Sequence, residues 1–246
     1  MIKSALQYIV GLREANIRDV VLADGSVQTY SDKELHLIEK RIHYAKPIEM
    51  NNLTSLLDYI KSHVDEMDEK MIIQVVSPEE VRLFSQLDEH RMRELLVTVR
   101  AQIPSFRYET YIDHESFCIG VQSKFLDDDA LDKALLLKFA GTVEAGTVAE
   151  YGDDGVTQKA TVKTGIASKG DALVPNPVSL KPFRTFVEVE QPVSQFIFRI
   201  KQDKYDGIHC ALFEADGGAW KNKAMSNIKE FLKAELGKNS QFTIIS

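Results

Sequence analysis

The sequence runs to 246 residues, 44% of them hydrophobic and 27% charged, an ordinary globular composition that allows one large domain or two small ones. No stretch approaches the ~20 apolar residues needed to cross a bilayer, and Met1–Val10 holds one lysine and no small-residue cleavage site, so a cytoplasmic protein with no membrane part is expected. With 30 basic and 37 acidic residues the formal charge is −7, which repels polyanions at long range and makes nucleic acid an unlikely partner.

Taken in chain order, Ala5, Leu6, Ile9, Val10 and Leu12 recur at helical spacing and predict a short amphipathic helix over 4–15, with Ser4 as its N-cap. Asp24-Gly25 between two apolar runs predicts a β-hairpin over 19–30. A helical turn or two is expected over 33–43, ended by Pro47. Leu53, Leu56, Leu57, Ile60 and Val64 mark an amphipathic helix from Asn52 to about Val64. Strands are expected over 71–76, 81–84 and 94–99. The last of these also fits helical spacing from Arg91 to Arg100.

Residues 106–112 and 116–121 suggest a second hairpin-like pair around Asp113-His114. Asp127-Asp128-Asp129 precedes a strongly helical run over 130–143, where acidic residues complement the positive end of the helix dipole. From Gly146 to Cys210 turn signals replace helix signals, at Gly152-Asp153-Asp154-Gly155, Ser168–Asp171, Pro175-Asn176-Pro177 and 203–207. Strands are expected between them over 157–166, 185–190 and 196–200. A strand over 208–213 leads into Glu214–Trp220, a helix over about 221–236 capped by Gly237, and a strand over 242–245. The expected fold class is α+β, β-rich and mainly antiparallel, as a sheet or sandwich with several amphipathic helices. Residues 1–45 read as an appendage and possible assembly arm, and 46–246 as the main domain.

Among groups that could carry chemistry, Pro182–Pro192 is the most informative. As an extended strand it places Phe186, Glu188 and Glu190 on one face and Thr185, Val187 and Val189 on the other. Two carboxylates so spaced suit a divalent metal or an acid and base pair, joined by Asp216 and Asp154. A solvated strand face, with Arg184 pairing one carboxylate, explains the same pattern without a third ligand. Gly217-Gly218 before a helix could cradle an anion. A tight strand-to-helix turn with Trp220 packed beside it asks for less, and no GxxxxGK[ST] or GxGxxG pattern is present. The six histidines lack HxxxH and HExxH spacing. Cys118 and Cys210 read as two reduced core cysteines, and His209 beside Cys210 points to the opposite face of a strand. No catalytic residue is assigned and no cofactor is expected.

Asp153-Asp154-Gly155 with Gln158, Lys163-Thr164-Gly165-Ile166, the Pro182–Pro192 segment with Arg184, Thr185, Glu188, Gln191 and Pro192, Phe198-Arg199, and Leu212–Trp220 with Glu214, Asp216, Gly217 and Gly218 together carry a resemblance. Over about residues 47–246 the chain resembles a family of phage- and prophage-encoded proteins of unassigned function. The resemblance implies a bacterial host cytoplasm and a viral or prophage origin, and it brings no catalytic residues.

Three functions follow as expectations. The first is self-assembly into a symmetric homo-oligomer, or binding of a phage protein partner, through the sheet faces and the arm. A metal-dependent hydrolase or nuclease of phage DNA metabolism, built on Glu188, Glu190, Asp216 and Asp154, is the second. The third is a nucleic-acid accessory protein with a local basic face of Lys159, Lys163, Lys181, Arg184, Arg199 and Lys201 beside Phe183.

Overall fold

The computed structural model describes residues 2–11, 17–23, 25, 27–31, 44–67, 70–88, 91–145, 147–153, 158–164, 168–173, 176–203, 207–237 and 241–246, with the backbone alone for 142–153, 158–164, 168–173 and 203. The fold is α+β, with mostly antiparallel sheets. The chain divides into two compact units, residues 1–44 and 45–246.

In the first unit, helix α1 spans Ile2–Gly11, so Ser4 lies inside the first turn rather than capping it. Strands β1 (Ile17–Val21) and β2 (Val27–Ser31) pair antiparallel, Val21 opposite Val27, with Gly25 at φ 84° in the turn between them. A positive φ there is what a tight hairpin turn demands and what glycine supplies without strain. The helix expected over 33–43 lies outside the described residues.

The second unit holds two layered halves. Its first half is a five-stranded sheet in which β3 (Ile48–Met50), β4 (Met71–Ser77), β5 (Glu80–Ser85) and β6 (Leu95–Arg100) are joined by β14 (Phe242–Ile245), in the order β14-β4-β5-β6-β3. Residues 95–100 are thus a strand, not a helix. Met71, Ile73 and Val75 alternate inward with Val81, Leu83, Val97 and Val99. Against that face pack α2 (Leu53–Ser62) and α5 (Ala219–Leu236), through Leu53, Leu56, Ile60, Ile228 and Leu232. Asn52 caps α2 by accepting a 2.7 Å hydrogen bond from Ser55 N.

The other half is a four-stranded sheet in which β7 (Ile112–Asp113), β11 (Val178–Leu180), β12 (Ser194–Asp203) and β13 (Gly207–Glu214) lie in the order β11-β12-β13-β7. Phe196, Phe198 and Ile200 on β12 meet Phe117 and Val121 of α3 (His114–Lys124) and Leu136 of α4 (Lys133–Ala145). Each phenylalanine fully buried there contributes about 1.5–3 kcal/mol. A three-stranded meander, β8 (Thr147–Asp153), β9 (Gln158–Thr164) and β10 (Ser168–Leu173), runs between α4 and β11.

Further expectations change. Residues 116–121 form a helix rather than a hairpin strand, because Asp113 accepts a 2.8 Å hydrogen bond from Ser116 N and so caps α3, while Phe117 and Val121 share its buried face. Residues 106–111 are irregular. Ser168–Asp171 lies within β10 instead of in a turn. Asp128 folds back on Ala130 N in a turn that ends before α4, so the aspartate run does not cap the helix directly. A last change, the loss of the strand at 185–190, governs the site.

Candidate functional site

The segment 182–193 is not a strand. Its backbone bonds are taken by the Gln191 side chain, which is 3% exposed. Gln191 Oε1 accepts from Arg184 N at 2.9 Å and Thr185 N at 3.2 Å, and Nε2 donates to Phe186 O at 2.8 Å and Val189 O at 3.3 Å. One buried amide therefore satisfies the donors and acceptors that a sheet ladder would have satisfied. The loop turns Phe186 and Val189 into the first core and leaves Val187 exposed. Thr185 Oγ1 donates to Pro78 O at 2.5 Å and Asn227 Nδ2 donates to Glu190 O at 2.7 Å, which fix it to the β4–β5 turn and to α5.

Glu188 and Glu190 consequently do not share a face. Glu188 Oε1 accepts from Leu53 N at 2.7 Å and Thr54 N at 3.3 Å, the first amides of α2. A carboxylate there satisfies orphan donors and complements the helix dipole. Glu190 is largely exposed and meets Lys181 Nζ at 3.2 Å. Asp216 stands at the corner between β13 and α5, and Asp154 and Gly155 lie outside the described residues. Among the described residues no group of three or more His, Cys, Asp or Glu is placed to hold a metal ion.

The residues of the proposed basic face are described only in part. Lys181 is paired with Glu190, and Arg184 is 5% exposed. The side chains of Lys159 and Lys163 are outside the described set, as are Gly165 and Ile166 entirely. Arg199 is half-buried on β12 opposite Ala211, and Lys201 is exposed further along that strand.

Where Arg184 goes is the feature that strand logic misses. Its Nη1 donates to Glu214 Oε1 at 2.5 Å and its Nη2 donates to Ser194 Oγ. The guanidinium lies 4.0 Å from the Trp220 ring centre, 5.2 Å from Phe196 and 5.5 Å from Tyr108. Burial pulls the guanidinium below its ordinary arginine value, against Tyr108, Glu214 and Asp216, which favour its charge. Burial likewise pushes the Tyr108 hydroxyl up to about 12.

Beside this caged cation, Gly217 and Gly218 at φ 61° and 80° make the turn into α5. Asp216 Oδ1 accepts from Gly218 N at 3.0 Å. Ser179, Ser194, Gln195, Asp216, Trp220 and Lys223 line a cavity of about 300 Å³ at the start of α5. Arg184 Nε, Asp216 Oδ2 and Trp220 Nε1 are buried without a hydrogen-bond partner.

The Arg184, Glu214, Asp216 and Trp220 cluster was singled out in the sequence as separate motif residues, and nothing in their spacing joins positions 30 residues apart. Cys210 is buried, with its thiol pushed up by burial to about 12. Cys118 is half-buried, with Sγ 3.4 Å from His114 Nε2, an i, i+4 contact that the strand expectation for 116–121 concealed. No helix among the described residues is long and apolar enough to cross a membrane. No family model, curated protein or solved structure matches the chain.

Proposed function

We propose that this chain acts by self-assembly into a symmetric homo-oligomer, with residues 1–44 as the contact that joins copies. The observation that supports it is that α1 and the β1–β2 hairpin leave their apolar side chains in solvent. Helix α1 has no buried residue, and Ile2, Leu6, Ile9 and Val10 are 55–81% exposed. On the hairpin Ile17, Val21, Val27 and Tyr30 are more than half exposed.

Neither element is stable on such terms. A ten-residue helix falls below the ~12–15 residues at which isolated helices become marginal in water, and a lone two-stranded hairpin is no better. Both need a covering surface. Charge favours a second copy's unit as that surface. Residues 1–44 hold six basic and six acidic side chains, so residues 45–246 carry the whole −7. Bodies of like charge repel, whereas neutral arms meet without that cost. A self-complementary contact closes as a two-fold dimer, and a head-to-tail contact closes into a ring. The phage or prophage setting proposed with this reading rests on the motif resemblance of residues 47–246.

Light scattering after size exclusion, on the full chain over a wide concentration range, is the test. An integral multiple of the single-copy mass is expected, with Leu6→Asp and Ile9→Asp together returning the protein to one copy. Single-copy mass for the unaltered chain throughout the range overturns the proposal.

A further inference from the structure

The cavity at the start of α5 is independent of the assembly arm and has its own chemistry. We propose that it binds a phosphate group that retains a proton, as inorganic phosphate or a phosphate monoester.

Two of its lining residues carry unmet hydrogen-bonding capacity of opposite kinds. Trp220 is 7% exposed and its Nε1, which can only donate, has no partner. Asp216 is held by the Gly218 amide through Oδ1, and its Oδ2 has no partner. Buried polar atoms without partners are costly, and a ligand that both accepts and donates relieves both. A protonated phosphate does so. Its oxygens accept from Trp220 and from the Ser179 and Ser194 hydroxyls, and its P–O–H donates to Asp216.

The electrostatics agree. Arg184 and Lys221 lie against the Trp220 ring and Lys223 lines the cavity, with Glu214 paired to Arg184. The positive end of the eighteen-residue α5 adds to them. Nothing stands within 4 Å of the position a Cβ would take at Gly217 or Gly218, so the turn leaves its backbone open to an approaching anion. At about 300 Å³, against roughly 30 Å³ for each water in the liquid, the cavity also has room for the organic part of a monoester.

Asp216 sets the selectivity. Sulfate matches phosphate in shape but has no proton to give near neutral pH, so it would place bare negative charge against Oδ2. Trp220 is the only tryptophan, which makes its fluorescence a reporter in the unmodified full chain. Titrations at about pH 6, where phosphate keeps a proton, use sodium phosphate, glycerol phosphate and sodium sulfate at matched ionic strength. Saturable changes are expected with phosphate and glycerol phosphate, and binding of sulfate weaker by at least about tenfold. Asp216→Asn removes most of that preference, and Lys223→Ala weakens both phosphates. The tighter of the two phosphates identifies the source, free ion or ester. Superimposable phosphate and sulfate curves for the unaltered chain, or no saturable change with any of the three, overturn the assignment.

Discussion

Replacing Gln191 by methionine tests whether one side chain organises the loop that joins the two halves of the second unit. Methionine keeps the length and approximate volume of glutamine, so the packing of Phe186 and Val189 is preserved while the hydrogen bonds are lost. Three buried backbone groups, the amides of Arg184 and Thr185 and the carbonyl of Val189, then lose partners, while Phe186 O keeps the Val189 amide. At about 1–3 kcal/mol for each buried group left unsatisfied, with some relief as the loop relaxes, the loss is about 3–5 kcal/mol. That is a large share of the ~5–15 kcal/mol by which a domain is stable, and it lowers the melting temperature by about 10 °C at this size. Urea unfolding of the full chain, followed by Trp220 fluorescence, measures it. Glu190→Gln on the exposed neighbour serves as control and shifts stability by less than about 0.5 kcal/mol. A loss below about 1 kcal/mol in Gln191→Met would refute the claim that this amide replaces a sheet ladder.

Glu188→Ala removes the acceptor for the first two amides of α2 and costs about 1–2 kcal/mol in the same urea assay, whereas Glu188→Gln keeps an acceptor and recovers part of it. Asp113 is held below the usual carboxylate range by the hydrogen bond from the Ser116 amide. Its contribution is therefore full above the unfolded-state value near 3.9 and is lost as pH falls through the lower folded value. Asp113→Asn, which still caps, flattens this part of the acid limb in urea midpoints measured from about pH 5 downward. A thiol reagent at neutral pH leaves Cys210 unmodified in the folded protein and labels it in denaturant, because its thiol is buried and titrates at about 12. Fast labelling of Cys210 without denaturant would show that β13 opens locally. Gly218→Ala places a side chain at φ 80° and costs about 1 kcal/mol in thermal melts, although no atom obstructs its Cβ.

How much was legible in the sequence depended on whether the deciding contact was local. The helix from Leu53, the strands at 71–77 and 80–85 and the strand at 242–245 could be read because alternation or helical spacing marks a buried face directly. Helix α3 was missed because His114–Lys124 has little helical propensity and is held by a cap and by two aromatic contacts of Phe117, with Phe106 and Phe198. Alternation at Thr185–Glu190 was true of the residues and false of the backbone. A buried glutamine one position further on absorbs the hydrogen bonds, and no period-2 rule weighs a side chain competing for them. Glu188 shows the limit on sites. Its partner helix lies 135 residues away, so a carboxylate that reads as a ligand is an N-terminal cap for an element far from it in sequence.

The two outer strands of the five-stranded sheet bear on when this protein can fold. Phe242–Ile245 pairs in parallel with Met71–Gln74, and Ile48–Met50 pairs in parallel with Val97–Val99. The central strands β4, β5 and β6 form antiparallel neighbours from a contiguous stretch and can assemble early. The open side of β4, however, waits for a partner made some 170 residues later, a loop closure that the chain must complete against its own entropy. Throughout synthesis of the intervening residues, Met71–Ser77 offers a row of unpaired amides and carbonyls beside the apolar side chains Met71, Ile73 and Val75. A nascent or truncated chain lacking residues 242–245 is thus an aggregation hazard at this edge. Pairing of Phe242–Ile245 with Met71–Gln74 closes that edge.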